Sequence, residues 1–390
     1  MTVRGINLST SSGHGKRGVQ MFRDISYYKP DIKACARRVN GFFSMASGAP
    51  QALIYTFPSV LTLRGPILNQ YNFEHDMESY LDDYLEYQAQ LTEIRRGIED
   101  DWIPSVVPYM GIGEFSAFVA GEIEFGEDTS WAAPVVTEKS ELAELRLDPN
   151  NKWFVRLNEA TRYLVRKISP CRIPYGRGYY SPLDLAWALR GESIYMDFYE
   201  DPQFVHDLME LALRATEWFA RAQASEIFAP DVVHEYSAWH CGPNRIAISE
   251  DISSLISPNH YSQYAAPYTQ RLFDSFGIGE VHCHSAGPHV VPEFLKLTNV
   301  RQIQIVADPN TRRPVEILAD LVDSNPELFG RSSDIAVIQV DASPEEAVQY
   351  YDLSRRTRVV FSVVTETAEE AQHAVQIFRE RQKQRRNLLL

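Results

Sequence analysis

The sequence has few cysteines, no long apolar run and no excess of positive charge, and each shortage excludes a class of protein. Its four cysteines (Cys35, Cys171, Cys241 and Cys283) lie far apart, and the start Met-Thr-Val-Arg-Gly lacks a positively charged region followed by an apolar one. We therefore expect a cytoplasmic protein. No window approaches the roughly 20 apolar residues that span a bilayer, so we expect no membrane insertion.

The charge balance argues against a nucleic-acid partner. The formal net charge is -14 at pH 7, whereas proteins that bind nucleic acids need a basic surface to neutralise phosphates. The dense basic run at 379–386 fits the solvated end of a last helix. With 44% hydrophobic and 12% aromatic residues, the composition is typical of a compact globular enzyme. The composition does not determine the oligomeric state, and it is compatible with a homo-oligomer.

Short apolar runs alternate with longer helical segments from residue 50 onward, as in successive strand-helix units of a parallel sheet. Eight runs resemble strands: residues 52–57, 105–109, 171–175, 232–236, 280–284, 303–307, 335–340 and 359–364. Eight units predict an α/β fold, a closed (β/α)8 TIM-type barrel, with an insertion after strand two over residues 110–170. An open doubly wound sheet is the alternative.

The chain divides unequally. Residues 9–18 show neither helical nor strand periodicity, so we expect an N-terminal arm or cap over residues 1–45 and the barrel over residues 46–390. Helix starts are predicted from capping residues and early prolines at Asp201-Pro202, Ser257-Pro258, Ser343-Pro344 with Glu346, and Thr367 with Glu370.

The most informative stretch is residues 279–287 (GEVHCHSAG), where an apolar run ends in two histidines and a small-residue turn. Alternate side chains on a strand share a face, so His282 and His284 are predicted to point one way and Cys283 the other. Parallel barrels place their chemistry at strand ends, which makes the pair a candidate ligand or acid/base set. Hydrogen-bonded core histidines are the alternative interpretation.

Carboxylates at neighbouring strand ends suggest a metal site. A pocket that holds Glu235, Glu250 or Asp251, and His284 suits a divalent ion with nitrogen and oxygen ligands, and Zn²⁺ is the first candidate. Such a site leaves the ion Lewis acidic and able to polarise an ether or alcohol oxygen. Two simpler interpretations stay open: Glu250 and Asp251 fit a surface turn, and Glu235 fits an ion pair with Arg245.

Aromatic residues are frequent at the same strand ends. They fit an apolar pocket with hydroxyl groups for orientation, and they equally fit the barrel core. The candidates are Tyr55, Phe57, Tyr109, Tyr175, Tyr179, Tyr180, Tyr236 and Trp239. Positively charged residues are scarce at these strand ends, and Arg177 is the main one.

Several segments together resemble the uroporphyrinogen decarboxylase superfamily, which also includes methyltransferases that serve corrinoid proteins. They occur in the family's order from about residue 50 to the end of the chain: residues 107–113 (VPYMGIG), 131–134 (WAAP), 181–186 (SPLDLA) with 189–191 (LRG), 197–202 (DFYEDP), Asp251 with 256–258 (ISP), and 284–287 (HSAG). The resemblance implies a barrel enzyme.

Departures from the family pattern narrow the expected activity. Uroporphyrinogen decarboxylases carry an N-terminal arginine-rich segment that binds substrate carboxylates, and nothing similar stands near the first strand, which argues against porphyrinogen decarboxylation. Thiol-activating zinc methyltransferases have a Cys where this chain has Ala286, and a further Cys near the last strand, where residues 363–365 contain none. A thiolate metal site is therefore not expected.

The chain instead resembles the methyltransferase components of O-demethylase systems. The ligand set that this resemblance implies for zinc is two glutamates and one histidine. The resemblance implies that Glu235, Glu250 and His284 hold zinc, with His282 or Asp251 as an alternative to His284 for the third ligand. Asp251 or His282 would also orient the ligands or move a proton. Tyr55, Tyr109, Tyr179, Tyr236 and Trp239 would shape the substrate pocket.

The function implied is transfer of a methyl group from a small methylated, methoxylated compound to the corrinoid of a partner protein. The pocket aromatics favour an aryl methyl ether slightly, although quaternary amines also bind in aromatic cages. Two other hypotheses stay open: a metal-free decarboxylase or lyase in which His284 and Asp251 act as acid and base, and a non-catalytic barrel protein.

Overall fold

The computed structural model describes residues 22–59, 63–237, 242–329 and 336–387, and within these ranges the fold is α/β. The strands are β1 (Ala52–Pro58), β2 (Ile123–Phe125), β3 (Ser130–Ala132), β4 (Tyr179–Tyr180), β5 (Ile246–Ser249), β6 (Gly279–His284), β7 (Val300–Val306), β8 (Val337–Ala342) and β9 (Val359–Thr365). β2 and β3 form a small antiparallel hairpin, and the other seven strands pair in parallel in one sheet.

The strand order identifies a barrel topology. Neighbours run β1-β9-β8-β7-β6-β5-β4, so the first strand pairs with the last and the order never reverses. A doubly wound sheet would reverse at a switch point between two halves. The barrel predicted from the sequence is therefore confirmed in preference to the open sheet.

An irregular segment joins the two edges of this sheet. On one side, the Asp101 N–H donates to the Ile54 carbonyl oxygen at 2.8 Å, and the Asp100 carboxylate accepts from the Thr56 N–H at 2.8 Å. On the other side, Val106 forms a parallel bridge with Tyr175, four residues before β4. The second barrel position is thus filled by side-chain carboxylates and a single bridge, where a full strand was predicted at 105–109.

The predicted strands are confirmed in the second half of the chain and partly wrong in the first. β1, β6, β7, β8 and β9 coincide with predicted runs, while the run at 171–175 contributes only the Tyr175 bridge. The predicted strand at 232–236 is wrong: these residues are turn and coil, and β5 occupies the position instead. Both segments are short and apolar, and periodicity alone does not separate them.

The α-helices are α1 (Ile25–Tyr28), α2 (Ile32–Phe43), α3 (Met77–Ile94), α4 (Lys152–Ile168), α5 (Pro182–Arg190), α6 (Ile194–Glu200), α7 (Pro202–Ile227), α8 (Pro258–His260), α9 (Ala266–Phe276), α10 (Val291–Lys296), α11 (Pro314–Ser324), α12 (Pro344–Gln349) and α13 (Ala368–Asn387), with a π-helical turn at Tyr261–Ala265. The predicted helix starts are confirmed. Asp201 and Ser257 cap α7 and α8, Ser343 and Glu346 form a capping box, and Thr367 accepts from the Glu370 N–H at 3.1 Å.

Two features at the chain's ends add contacts beyond those expected. Within the expected N-terminal arm, α1 and α2 flank Lys29, whose Nζ lies 2.9 Å from Asp100 Oδ1. At the other end, the basic run at 379–386 lies at the end of the last helix, as predicted, but three of its arginines are ion-paired and partly buried rather than solvated. Arg379 lies 2.6 Å from Asp101, and Arg381 and Arg385 both pair with Asp352. The last helix is therefore held to the barrel by ion pairs.

Polar side chains cross the barrel interior between neighbouring strands. Gln302 on β7 donates to Gln339 on β8, which donates in turn to Ser362 on β9 at 2.7 Å. All three are at most 3% exposed. Because buried polar groups need partners, this row fixes the relative orientation of the strands near the candidate site. No helix among the described residues is long and apolar enough to cross a membrane.

Candidate functional site

A cavity of about 410 Å³ opens where the strands of the barrel end. Its volume lies in the range of small-molecule sites, about 300–1,000 Å³. Residues from β4, β5, β6 and β7 and from the loop after Val106 surround it: Val107, Pro108, Tyr109, Ile112, Phe115, Arg177, Gly178, Tyr179, Tyr180, Ala247, Ile248, Ser249, Asp251, Glu280, Val281, His282, Gln302 and Gln304.

The two histidines of β6 lie side by side at this opening. The ring centroids of His282 and His284 are 5.1 Å apart and the rings are nearly perpendicular. Cys283 between them is buried, and its Sγ lies 3.3 Å from the Gln304 carbonyl oxygen. Both histidine side chains stay about one-third exposed, so they are accessible from the opening rather than enclosed in the core.

Asp251, two residues beyond β5, completes a cluster with the histidines. One ligand atom from each of Asp251, His282 and His284 lies within 4.8 Å of the others. Asp251 Oδ1 is 3.3 Å from His284 Nε2 and 4.0 Å from His282 Nε2. This oxygen is buried and makes no well-directed hydrogen bond within the described residues. A carboxylate oxygen and two imidazole nitrogens therefore converge on one point.

The outer nitrogen of each imidazole is already engaged. His282 Nδ1 lies 2.9 Å from Gln304 Oε1, and His284 Nδ1 lies 2.7 Å from Asp308 Oδ1. Both contacts orient Nε2 toward Asp251. Metal-binding histidines are usually oriented in this way, by an acceptor on the nitrogen that faces away from the ion.

The turn after β6 fixes Asp308 in place. Asp308 Oδ2 accepts from the Ala286 N–H at 2.9 Å, and the Asp308 N–H donates to Ser285 Oγ at 2.8 Å. Gly287 is needed for the close approach of this turn to the loop after β5, because a Cβ there would lie 2.9 Å from the Ser254 Cβ. The small residues in the motif at 284–287 thus serve the packing of the site.

Asp184 binds the backbone of the loop after β5, which carries Asp251. It is the third residue of α5, and Ser181 caps that helix. Its carboxylate accepts from the N–H groups of Asp251 and Ile252, both at 3.0 Å, and from Ser249 Oγ at 2.8 Å. The sequence motif at 181–186 contains Asp184, but nothing in its spacing reveals that the side chain reaches the backbone of another strand end.

The opposite charges of Asp251 and His284 stabilise each other. The close carboxylates of Asp251 and Asp308 raise the pKa of His284 to about 9. Burial acts to raise the pKa of Asp251, but His284 and His282 outweigh it and leave that pKa below its usual value. Burial, with the nearby charges of Asp251 and Glu250, raises the pKa of Asp184 well above normal. Without a metal, His284 is therefore an imidazolium between two carboxylates at neutral pH.

The two glutamates expected as metal ligands lie elsewhere. Glu250 is fully buried among helices, where its Oε1 accepts from Tyr261 Oη at 3.0 Å and from Thr269 Oγ1 at 2.9 Å. Burial raises its pKa to about 7. Glu235 is about 39% exposed and pairs with Arg172 at 2.6 Å, whereas the ion pair considered from the sequence was with Arg245. Neither glutamate belongs to the Asp251 cluster.

The residues expected to bind substrate are only partly brought together. Tyr109 and Tyr179 line the cavity. Tyr55 is buried with its ring edge against Trp102, and Tyr236 donates to Glu235 at 2.9 Å; neither is part of the cavity wall. Trp239 lies outside the described residues. Phe115 and Ile112, which come from the insertion and were not expected, join the wall.

The fold and the site define an α/β barrel with a carboxylate–histidine cluster at the carboxyl ends of its strands. A family model, "Uroporphyrinogen decarboxylase (URO-D)", matches residues 118–313, just over half of the chain. The protein belongs to this family, which confirms the resemblance found in the sequence motifs.

A solved structure, a methyltransferase from Methanosarcina mazei, has a similar fold. The superposition has a TM-score of 0.58 and covers 89% of this chain and 98% of that one, at 12% sequence identity. At this identity the likeness shows the fold alone. Comparison with curated proteins gave no match.

Proposed function

We propose that the protein is a methyltransferase that takes a methyl group from a small methoxylated compound and passes it to the corrinoid of a partner protein. The observation that carries the proposal is the convergence of Asp251, His282 and His284 beside a small-molecule cavity. The family and the methyltransferase with a similar fold support the reaction class. Within the described part of the chain the cluster contains no cysteine, and its oxygen and nitrogen ligands support an oxygen rather than a sulfur centre as the group acted on.

The proposed metal ligands are Asp251 Oδ1, His282 Nε2 and His284 Nε2. This set differs from Glu235, Glu250 and His284, because both glutamate carboxylates have partners elsewhere. One oxygen and two nitrogens suit a catalytic zinc site, which keeps its fourth position for water or substrate. A zinc ion bound there would act as a Lewis acid toward the oxygen that leaves when the methyl group departs.

The surrounding residues would position the substrate. Tyr109, Phe115 and Tyr179 form an apolar wall that suits an aryl or alkyl ether and excludes water from it. Asp308 and Gln304 hold the two imidazoles, and Asp184 holds the Asp251 loop. The corrinoid of the partner would have to approach through the same opening, and the acidic surface of this chain would favour a partner with complementary charge. We place the reaction in the cytoplasm.

The first test is metal content, followed by methyl transfer. Protein purified without chelator is analysed by mass spectrometry, together with Asp251→Ala, His282→Ala and His284→Ala variants and Glu235→Ala as a matched control. We expect about one zinc per chain, lost in the three cluster variants and kept in the control. Zinc-loaded protein should then demethylate a methoxylated compound in the presence of reduced corrinoid, monitored by the corrinoid absorbance. Folded wild-type protein that rejects added zinc contradicts the proposal.

One observation favours a second candidate, a metal-free decarboxylase or lyase. The Asp251–His284–Asp308 chain keeps His284 protonated and next to the cavity, as a general acid requires. Zinc content separates the two candidates. Activity that survives chelation and disappears in His284→Gln supports the lyase.

A further inference from the structure

Tyr180 ends β4 and belongs to the wall of the cavity. In the register of the sheet it lies beside Ser249 of β5, and Ser249 lies beside His282 of β6. Residues paired across neighbouring strands point to the same face of a sheet, so Tyr180 and His282 point to the same side. The alternate residues on this face line the cavity: Tyr180, Ala247, Ser249, Glu280, His282, Gln302 and Gln304. The Tyr180 side chain therefore faces the opening of the barrel.

The ring and the hydroxyl of Tyr180 have different surroundings. The ring packs against Phe115, another residue of the wall, with 5.0 Å between the ring centroids. The hydroxyl keeps accessible surface and makes no hydrogen bond with any described residue. By contrast, the Tyr109 hydroxyl in the same wall lies 2.9 Å from Thr129 Oγ1 and donates to it. Tyr180 thus offers the cavity a donor that no described protein group uses.

Nearby carboxylates keep this hydroxyl protonated. Burial, followed by the charges of Asp184 and Asp251, raises the pKa of Tyr180 above its usual value. The phenol therefore stays neutral at physiological pH, and a neutral phenol can donate its O–H. The effect of Asp251 agrees with a hydroxyl on the side of the cavity that holds the cluster.

The space between Tyr180 and His282 has room for one small group. Neighbouring strands lie about 4.8 Å apart, so the Cα atoms of these two residues, two strands apart, are separated by about 10 Å. The short side chain of Ser249 lies between them, and its Oγ donates to Asp184 at 2.8 Å. A phenol hydroxyl and an imidazole therefore border the space above Ser249.

We infer that Tyr180 binds the substrate by donating a hydrogen bond from its hydroxyl to the oxygen that carries the methyl group. The identity of that oxygen rests on the proposed function, whereas the hydrogen bond is a separate claim. The hydrogen bond directs the ether oxygen toward the cluster, and the Phe115 ring contacts the apolar body of the same molecule. Tyr180 thereby selects a methoxy compound over a hydrocarbon of the same shape, because the hydrocarbon leaves the donor without a partner.

Calorimetric titrations with anisole and ethylbenzene test the hydrogen bond. The two probes have the same ring, and a CH₂ group in ethylbenzene replaces the ether oxygen of anisole. The ratio of the two affinities is compared between wild-type protein and Tyr180→Phe, which removes the hydroxyl and keeps the ring. This comparison cancels the different hydrophobicity of the probes. We expect the ratio in Tyr180→Phe to shift against anisole by about three- to tenfold, the effect of one hydrogen bond between neutral groups.

The affinity for ethylbenzene separates a binding role from a structural one. Tyr180→Phe should bind ethylbenzene as tightly as wild-type protein does, whereas a general disturbance of the cavity would weaken both probes. Tyr71→Phe is the matched control, because the Tyr71 hydroxyl pairs with Asp83 at 2.6 Å on an exposed surface away from the cavity wall. It should leave both affinities unchanged. Repeating the titrations in a His284→Ala background removes any contribution from an ether oxygen bound to a metal.

Urea unfolding provides a second measurement. Tyr180→Phe should unfold at the same urea concentration as wild-type protein, because the hydroxyl has no partner to lose among the described residues. The inference is overturned if that variant is destabilised or fails to fold, since the hydroxyl would then have a structural role. It is also overturned if wild-type protein binds neither probe, if the affinity ratio is the same in both proteins, or if both probes weaken equally.

Methyl transfer distinguishes the inference from the proposed function. A shifted affinity ratio in a protein that transfers no methyl group would support the hydrogen bond and count against the proposed function. Methyl transfer from anisole to reduced corrinoid with the same KM in wild-type protein and Tyr180→Phe would support the proposed function and overturn the inference.

Discussion

The Nδ1 atom of His284 lies 2.7 Å from Oδ1 of Asp308, on the side of the imidazole that faces away from Asp251. Asp308 comes from the loop after β7, and the turn after β6 fixes it by the Ala286 N–H and Ser285 Oγ. The orientation of the central histidine therefore depends on a carboxylate from the neighbouring strand end. This dependence can be tested without any knowledge of the substrate.

Asp308→Ala should weaken zinc binding by about 10- to 100-fold, the range seen when an acceptor behind a metal-binding histidine is removed. The reason is that His284 loses the contact that keeps Nε2 directed at Asp251. Competition with a chromogenic chelator measures the affinity. Asp320→Ala serves as the control, because Asp320 is exposed and, among the described residues, its one ion pair is with the exposed Arg312. Equal zinc affinities in the two variants would contradict the role assigned to Asp308.

Zinc binding should depend on pH through His284. Its pKa of about 9 in the metal-free protein means that the imidazole is protonated at neutral pH, and a ligand must lose that proton. Binding therefore releases a proton below about pH 9, and the apparent affinity should rise roughly tenfold per pH unit up to that value. Calorimetry in buffers of different ionisation enthalpy counts the protons. A pH-independent affinity between pH 6 and 8 would show that His284 is not a ligand.

Asp184→Asn should disturb the Asp251 loop while the barrel stays folded. The carboxylate accepts three hydrogen bonds, and the amide group would present an N–H to at least one of those donors. We expect a loss of about 1–3 kcal/mol in the free energy of unfolding and weaker zinc binding, because a buried donor loses its acceptor. Urea unfolding and zinc titration measure the two effects. Unchanged zinc affinity in the destabilised variant would limit Asp184 to a structural role.

The sequence predicts the parts of the site that depend on local periodicity. His282 and His284 share a face because side chains alternate along a strand, and they lie at the opening because β6 ends there. The strand at 359–364 (VVFSVV) is rich in β-branched residues and mostly buried, so its position follows from composition. The barrel follows from the repeated alternation of strands and helices.

Other parts of the site depend on contacts between distant segments. Val232 begins an apolar run like that of β5, and assigning the strand there moves Glu235 to the opening, whereas its carboxylate pairs with Arg172 on an exposed face. Glu250 and Asp251 are neighbours with opposite surroundings, and only the register of β5 decides which one faces the histidines. Asp184 acts through the backbone of another segment, which no spacing rule reveals.

The closure of the barrel at its second position provides the last prediction. The Asp100 carboxylate accepts from the Thr56 N–H at 2.8 Å and binds Lys29 Nζ at 2.9 Å and Arg95 Nη2 at 2.8 Å, and both Asp100 and Lys29 are almost fully buried. One side chain thus replaces part of a strand ladder and neutralises a buried cation.

Asp100→Ala should therefore lower the free energy of unfolding by about 3–5 kcal/mol, because it removes the carboxylate nearest to the buried Lys29 and leaves only Asp31, at 3.8 Å, as a counterion among the described residues. Adding Lys29→Met should recover part of that loss, since the remaining buried charge is then removed. Asp320→Ala, which breaks an exposed pair, should cost at most about 1 kcal/mol. Urea unfolding compares all three proteins. If Asp100→Ala is no more damaging than Asp320→Ala, the Asp100 carboxylate does not hold the segment before Val106 against β1, and the hydrogen bonds between Asp101 and Ile54 must do so instead.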